Sequence, residues 1–230
     1  MKISILEFAA GAEVAKGAVV IIDVFRAFST ACYAYDSGAV RIIVTDDVSR
    51  AFELKRSYRH SVLTGERDER KIEGFDFGNS PTEIIKSDLH GLTVIQTTTA
   101  GTKGLMKAEN ADMLIAASLV NASAVIKYLK TASPAEITLV AMGYRGTITA
   151  AEDILCAGMI KSGLLGEERD FRPEINNLRN GTGRRFFLPE NIDFSPPTDF
   201  FLCTMTDRFD FILKAEKRLD GNIDLVKIDL

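Results

Sequence analysis

Several features that would assign a protein to a broad class are missing from this sequence. No apolar run approaches the roughly 18 residues that a bilayer-spanning helix needs, and the apolar run within residues 1–7 is too short for a signal peptide. The formal net charge is only −4, and aromatic residues are not interleaved with basic runs. We therefore expect neither a membrane nor a nucleic-acid partner.

Cysteine is also scarce. The three cysteines, an odd number, are Cys32, Cys156 and Cys203, and each lies among apolar neighbours. This pattern is typical of reduced core thiols in a cytoplasmic protein. Neither a Gly-x-Gly-x-x-Gly string nor a Walker A pattern occurs, so the sequence does not imply a nucleotide ligand.

What is present is an alternation of short apolar runs with helical patterns. Residues 18–22 form a continuous apolar run, as expected for a strand buried on both faces. The residues Thr45-Asp46-Asp47 can cap a helix from Val48 to about Tyr58. The rhythm predicts a three-layer α/β/α fold with a mostly parallel sheet. Strands are predicted at residues 18–22, 41–44, 62–63, 93–96, 113–116, 137–140 and 224–230.

The length of 230 residues and a hydrophobic content of 46% fit one large domain, and we predict a single domain over residues 1–230. Residues 20–31 can be laid over residues 139–150, with arginine, threonine and alanine coinciding. This internal similarity has two possible explanations: the chain contains two intertwined similar halves, about 1–118 and 119–230, or the similarity arose by chance. Residues beyond about 170 are rich in turn formers.

The segment from Thr64 to Pro81 is unusually polar for a connection in a compact domain. Loops of this length are usually functional or disordered. Disorder is not expected, because Ile72, Phe75 and Phe77 are anchors suited to burial. We interpret this segment as an ordered, charged binding loop.

Polar side chains also follow the other predicted strands, at the edge where parallel sheets bind ligands. Asp23 is either a helix N-cap or, with Arg26 and Ser29 nearby, a residue that faces a ligand. Residues 97–102, Thr-Thr-Thr-Ala-Gly-Thr, either pair their hydroxyls locally or bind an anion at a helix N-terminus.

The loop that follows the strand predicted at residues 137–140 also allows two interpretations. Arg145, between Gly143 and Gly146, is either a solvated loop residue or an anion clamp. Glu152 and Asp153, early in a helix predicted over residues 147–161, ordinarily complement the helix dipole. Together the strand ends supply carboxylates, arginines and hydroxyls that suit an oxyanion substrate and a hard cation such as Mg²⁺.

Known phosphatase designs narrow this interpretation by elimination. A cysteine-dependent phosphatase needs a Cys and an Arg that bracket a phosphate-binding loop of five residues. Cys203 and Arg208 have only four residues between them, and none of these is glycine. Two histidines are too few for a histidine phosphatase or a histidine-rich two-metal site. Aspartyl-phosphate enzymes need a second Asp where Phe25 stands. A carboxylate–Mg²⁺ site of another design remains.

The motifs resemble those of the 2-phosphosulfolactate phosphatase family, the ComB-like proteins. The resemblance covers most of the first 165 residues, and its most specific string is Gly74-Phe75-Asp76-Phe77-Gly78-Asn79-Ser80-Pro81. The other matching segments are residues 22–27, 65–67, 97–102 and 145–158.

This resemblance implies an α/β/α fold and the Mg²⁺-dependent hydrolysis of 2-phosphosulfolactate to sulfolactate and phosphate. The reaction, carried out by a phosphoric monoester hydrolase, is a step toward coenzyme M. From the motifs and the resemblance together we assign the following roles. The predicted catalytic residues are Asp23, Arg26, Glu66, Arg145 and Asp153; the predicted metal ligands are Asp23, Glu66 and Asp76; the predicted substrate-binding residues are Arg67, Asn79, Ser80, Thr98, Thr99, Gly101 and Thr102.

Two positions depart from the family pattern. Ala100 stands where the family usually has Asn, which removes a possible ligand contact. Asp68 and Glu69 stand where small residues are expected, and two extra negative charges could weaken substrate binding or recruit metal. These departures keep two alternatives open: a phosphatase for another small phospho-hydroxyacid, or a non-catalytic anion-binding sensor on the same scaffold. A homodimer is a further hypothesis.

Overall fold

Ten strands form one continuous sheet in the computed structural model, which describes residues 1–230. In chain order the strands are β1 (Lys2–Glu7), β2 (Gly17–Ile22), β3 (Arg41–Val44), β4 (Ser61–Arg67), β5 (Arg70–Lys71), β6 (Thr93–Thr97), β7 (Ala111–Ala117), β8 (Glu136–Ala141), β9 (Phe211–Lys217) and β10 (Ile223–Asp229). Their order across the sheet is β1-β8-β2-β7-β9-β10-β3-β6-β4-β5.

The sheet consists of two parallel blocks joined by an antiparallel hairpin. Strands β1, β8, β2 and β7 run parallel in one block, and strands β3, β6 and β4 run parallel in the other. The hairpin β9–β10 lies between them and pairs antiparallel with β7 on one side and β3 on the other. The mostly parallel sheet predicted from the sequence is confirmed, with this central antiparallel pair and the short antiparallel edge strand β5 as additions.

The sheet is strongly twisted and curled. Strands β2 and β6 are five positions apart, which in a flat sheet would be about 24 Å. Yet a Cβ built on Gly101, just beyond β6, would lie 2.7 Å from the Asp23 carboxylate, just beyond β2. Twist accumulates on the order of 100° over five strand pairings. Twisting and curling together bring the carboxyl ends of two distant strands to one place.

The strands are buried on both faces, as the continuous apolar runs predict. Val19 and Ile21 of β2 pack in the core on one face, and the same core also includes Ile42 and Val44 of β3. Val20, between them, packs in a second core on the opposite face. Side chains alternate across a strand, so each strand feeds two helix layers, and the three-layer α/β/α fold is confirmed.

Helices cover both faces of the sheet. Helix α3 begins as predicted, because the Asp47 side chain accepts a hydrogen bond from the Arg50 N–H, an N-cap. None of the helices is both long and apolar enough to cross a bilayer. The helices are α1 (Phe8–Val14), α2 (Ala27–Asp36), α3 (Val48–Ser57), α4 (Pro81–Ile84), α5 (Gly101–Lys107), α6 (Ala122–Ala132), α7 (Ala151–Leu165), α8 (Arg172–Asn177) and α9 (Pro197–Cys203), and short 3₁₀ helices span Leu119–Asn121, Leu178–Asn180, Thr182–Phe187 and Pro189–Asn191.

The structure corrects two details of the prediction. The helix expected over residues 147–161 starts later, at Ala151, because Tyr144 and Ile148 close a turn through backbone hydrogen bonds. Strands β1, β5 and β9 were not predicted, and part of the segment predicted as a loop from Thr64 to Pro81 forms β5 and the end of β4. The three cysteines are buried and unpaired. The two-halves hypothesis and the cytoplasmic location stay predictions.

Candidate active site

One polar cavity lies where the strand ends converge. Its wall combines three guanidinium groups with three carboxylates, and it is built from six separate segments of the chain. The lining residues are Asp23, Phe25, Arg26, Glu66, Glu69, Asn79, Thr99, Ala100, Gly143, Tyr144, Arg145 and Arg185.

Asp23 lies directly after β2 and is held by backbone donors. Its Oδ1 accepts a hydrogen bond from the N–H of Ala27 at 3.1 Å, and the N–H of Gly101 is a second partner. Burial, aided by the negative charges of Glu66 and Glu152, raises the pKa of Asp23 to about 6. Gly101 is required here, since a side chain would collide with this carboxylate. Asp23 therefore combines the N-cap and cavity-facing roles that the sequence left open.

Glu66, near the end of β4, is fixed by the turn that follows β6. Its Oε1 accepts the backbone N–H of Thr99 at 2.7 Å, and its Oε2 accepts the Thr99 hydroxyl at 3.0 Å. Oε2 also accepts the N–H of Glu69 at 3.0 Å. These three donors are uncharged, so the carboxylate keeps its negative charge available to the cavity.

Arg26 is buried and fixed by a partner from the C-terminal part of the chain. Its Nη1 donates to Asp199 Oδ2 at 2.5 Å and to the Phe194 carbonyl at 2.7 Å. Asp199 Oδ1 in turn accepts the Ser80 hydroxyl at 2.8 Å. Removing one member of such a buried network leaves an uncompensated charge, so the orientation of Arg26 depends on Asp199.

The tip of the β4–β5 hairpin reaches over the cavity. Its two central residues, Asp68 and Glu69, both have positive φ values, 52° and 68°, as a type I′ turn requires. Asp68 pairs with Arg145 at 3.3 Å. Glu69 pairs with Arg185 at 2.9 Å and accepts the Tyr144 hydroxyl at 3.0 Å. Asp68 and Glu69 therefore contact two arginines of the cavity wall.

The oxygen donors of the cavity fit a Mg²⁺ ion. Asp23 and Glu66 supply two carboxylates, and the buried Oδ1 of Asn79 has no hydrogen-bond partner. No cluster of three or more His, Cys, Asp or Glu residues is arranged around a metal position. Mg²⁺ commonly uses one or two carboxylates and completes its shell with water and phosphate, which is what this donor set offers.

Asp76 and Arg67, which have predicted roles, contact other parts of the chain and do not line the cavity. The Asp76 carboxylate, 40% exposed, accepts hydrogen bonds from Lys55 Nζ at 2.9 Å and the Leu63 N–H at 2.7 Å. Arg67 donates to the Thr97 hydroxyl and to the carbonyls of Asp46 and Glu66. Asp76 thus ties its loop to β4, Arg67 ties β4 to its surroundings, and neither is carried into the functional proposal below.

The remaining predicted substrate-binding residues shape the turns around the cavity. Thr98 and Thr102 hydrogen-bond to each other, so this pair takes the local-pairing alternative that the sequence left open. Ser80 caps α4 and donates to Asp199. Thr99 and Asn79 do line the cavity.

Asp153 lies behind the cavity and joins two strand ends. Its Oδ1 accepts the N–H of Val24 at 2.8 Å, and its Oδ2 accepts the N–H of Gly143 at 2.8 Å. Burial, together with the charges of Glu152 and Asp23, raises its pKa well above the ordinary value. Asp153 is a positioning residue that holds the ends of β2 and β8 together.

The sequence interpretation missed Arg185, Tyr144 and Asp199. Arg185 and Asp199 lie in the turn-rich C-terminal segment, which has no periodic pattern to mark them. The available signal was the apolar neighbours: Phe186 and Phe200 are buried and pack at a ring separation of 6.3 Å. Aromatic anchors beside charged residues would have indicated that this segment folds onto the site.

Comparisons with known proteins point to one family. A profile of the 2-phosphosulpholactate phosphatase family matches residues 5–178. A Caldanaerobacter subterraneus subsp. tengcongensis protein described as a probable 2-phosphosulfolactate phosphatase is 34% identical over 212 residues, spanning 86% of this chain and 87% of its own. A Thermotoga maritima protein with the same description is 41% identical over 199 residues, spanning 83% and 85%. The profile match ends before Arg185 and Asp199.

Proposed function

Because the chain belongs to the 2-phosphosulpholactate phosphatase family, whose motifs it resembles, we propose that it is a phosphoric monoester hydrolase that converts 2-phosphosulfolactate to sulfolactate and phosphate. The observation that carries this proposal is the cavity in which Arg26, Arg145 and Arg185 face Asp23 and Glu66. Three guanidinium groups around one space suit a small substrate with several anionic groups.

The arginines supply positive charge where it is needed. Hydrolysis breaks the ester P–O bond, and negative charge develops on the phosphoryl and leaving oxygens. Preorganised cations around these oxygens lower the barrier most when they need not reorganise during the reaction. Arg26 meets this condition because Asp199 and Phe194 hold it, and we assign it to the phosphoryl group.

Arg145 and Arg185 lie on the side of the cavity formed by the β8 loop and the C-terminal segment. We assign them to the carboxylate and sulfonate groups of the substrate. The Arg145 side chain is 49% exposed, which suits a group that engages an incoming ligand. The Arg185 side chain is only 16% exposed and is the less accessible of the two.

Mg²⁺ is the cofactor that we propose for this site. Asp23 and Glu66 would hold it, with Asn79 Oδ1 as a further oxygen donor. The ion would neutralise phosphate charge and supply bound water. The mutual repulsion of the two carboxylates, which contributes to the raised pKa of Asp23, would be relieved by a cation.

Phosphate release from synthetic 2-phosphosulfolactate, measured with Mg²⁺ and with EDTA, tests this function. We expect release only with the metal, and at least about a thousandfold loss of kcat in Asp23→Asn, as for removal of a central electrostatic group. Asp76→Asn is the matched control, because it removes the same charge outside the cavity.

Each other outcome has a clear meaning. An absence of phosphate release by the wild type would overturn the proposed reaction. Tight binding of the compound without turnover would instead indicate an anion sensor. Equal losses in Asp23→Asn and Asp76→Asn would contradict the placement of the site.

A further inference from the structure

The hairpin tip places a carboxylate among the groups that should bind substrate anions. Glu69 lines the cavity with Arg185 and Tyr144. Its Oε1 lies 2.9 Å from the Nε of Arg185, and its Oε2 accepts the Tyr144 hydroxyl at 3.0 Å. A carboxylate here makes the contacts that an anionic substituent of the substrate would make.

The Arg185–Glu69 pair is close but incompletely bonded. The Arg185 Nε is buried and makes no hydrogen bond, although it lies within ion-pair distance of Glu69. Its Nη2 reaches only the Phe25 carbonyl, at 3.3 Å. The Glu69 carboxylate therefore balances the positive charge of Arg185, although the Arg185 Nε–H lacks an aligned hydrogen-bond acceptor. A ligand oxygen could take up that donor, but its charge would meet the nearby Glu69 carboxylate.

The backbone holds Glu69 in this position. Its N–H donates to Glu66 Oε2 at 3.0 Å, and its carbonyl accepts Arg26 Nη2 at 3.3 Å. The carboxylate cannot leave the cavity by a simple loop displacement without breaking contacts to two proposed catalytic residues. The backbone of Glu69 is thus anchored at the wall, which keeps its carboxylate within reach of a bound substrate.

We propose that Glu69 determines substrate specificity by occupying the place of a second anionic substituent. Within the proposed reaction, substrates with one anionic group besides the phosphate are then bound more tightly than 2-phosphosulfolactate, which is still hydrolysed but with a higher KM. A substrate that carries both a carboxylate and a sulfonate would bind less tightly, because one of them would lie against the Glu69 carboxylate. This inference rests on the proposed function and specifies the substrate class of the same site.

A matched pair of substrates tests the inference. 2-Phospholactate has a methyl group where 2-phosphosulfolactate has a sulfomethyl group, so the two differ by one anion. For the wild type we expect a kcat/KM for 2-phospholactate at least equal to that for 2-phosphosulfolactate. In Glu69→Gln, KM for 2-phosphosulfolactate should fall about tenfold, equivalent to about 1.4 kcal/mol, with kcat and the values for 2-phospholactate nearly unchanged.

Controls separate specificity from general charge and from folding. Glu73→Gln removes the same charge from an exposed position in the same loop and should leave the ratio of the two kcat/KM values as in the wild type. Glu69→Asn is a second variant, since Asn tolerates positive φ, and it should shift the ratio in the same direction. Thermal unfolding confirms that each variant is folded.

The inference is overturned if both substrates change by the same factor in Glu69→Gln, if Glu73→Gln shifts the ratio equally, or if the wild type has the higher kcat/KM for 2-phosphosulfolactate. Calorimetric binding of the two compounds is measured in parallel. If neither is hydrolysed, the proposed function fails, and an affinity ratio that moves in Glu69→Gln still supports the role of Glu69. An affinity ratio that is the same in the wild type and in Glu69→Gln would overturn the proposed role of Glu69.

Discussion

The cavity has two walls that are held in different ways. On one wall, the carboxylates of Asp23 and Glu66 accept hydrogen bonds mainly from backbone N–H groups at strand ends. On the other wall, Arg145 and Arg185 are held by ion pairs with the hairpin tip. Backbone donors cannot be exchanged by substitution, whereas ion pairs between side chains can. The comparison indicates that the first wall carries the chemistry and the second sets which substrate fits.

Arg26 connects the two walls, and its loss of support should have the largest effect on stability. In Asp199→Asn the buried guanidinium of Arg26 loses its charged partner, which is 0% exposed. We expect the free energy of unfolding to fall by about 3–5 kcal/mol, measured by urea denaturation.

Glu136→Gln provides the comparison for that experiment. It breaks an exposed pair with Lys2, whose side chain is 76% exposed, and should cost no more than about 1 kcal/mol. Similar losses in the two variants would show that Arg26 is not held by a buried charge network.

The backbone-held wall should reveal itself through pH. Burial raises the pKa of Asp23 from 3.8 to about 6, so the folded protein binds a proton more tightly than the unfolded chain does. The resulting stability is fully present below pH 3.8 and is lost as pH rises through about 6. Relative to Asp23→Asn, the metal-free wild type should lose about 3 kcal/mol over this window.

Denaturation in EDTA at several pH values measures this difference. Adding Mg²⁺ should raise the melting temperature more at pH 7.5 than at pH 5, because protons compete with the cation for Asp23. A pH-independent difference between the wild type and Asp23→Asn would contradict the burial of the Asp23 carboxyl group.

The ion-paired wall should respond mainly in KM. Arg185→Gln removes a cation from the anion-binding side while leaving the strand ends intact. We expect KM for the substrate to rise about tenfold, or about 1.4 kcal/mol, with a smaller change in kcat, measured by steady-state phosphate release. A large fall in kcat at unchanged KM would place Arg185 with the chemistry instead and break the distinction between the walls.

The smallest effect is expected at the rim. Arg145 pairs with Asp68, whose side chain is 76% exposed, and exposed pairs contribute at most about 1 kcal/mol. Asp68→Asn should therefore change KM no more than a few-fold. Its effect should also shrink in high salt, because exposed charges are screened. A larger effect than that of Glu69→Gln would reverse the order proposed for the two hairpin residues.

The sequence was informative where side chains follow buried strands. The apolar runs located β2 and β6, and the polar residues after them, Asp23 and Thr99, do line one cavity. The order of the strands could not be predicted from the local sequence pattern, because nothing in residues 211–229 indicates that this hairpin lies in the middle of the sheet. The tight contact between Gly101 and Asp23 depends on that order and on the twist that follows from it.

The individual site residues show the same limit. Asp76 lies in the most specific motif, but a string of residues does not tell which side of a loop a carboxylate faces. The structure turns it toward Lys55 and the Leu63 N–H. Arg185 and Asp199 reach the site only through the packing of the C-terminal segment, which local periodicity does not encode. Family motifs identified the reaction better than they identified the residues that surround it.

The central hairpin also has a consequence for synthesis. Val44 pairs with Ile223, and Ile115 pairs with Lys214. Strands β3 and β7, which are synthesised early, therefore cannot complete their pairing until β9 and β10 have been synthesised. Until β9 and β10 have left the ribosome, β7 and β3 present open edges that invite pairing with other chains. We expect nascent chains that stop before Phe211 to hold two unjoined blocks, and their exposed edges to be suitable sites for a chaperone.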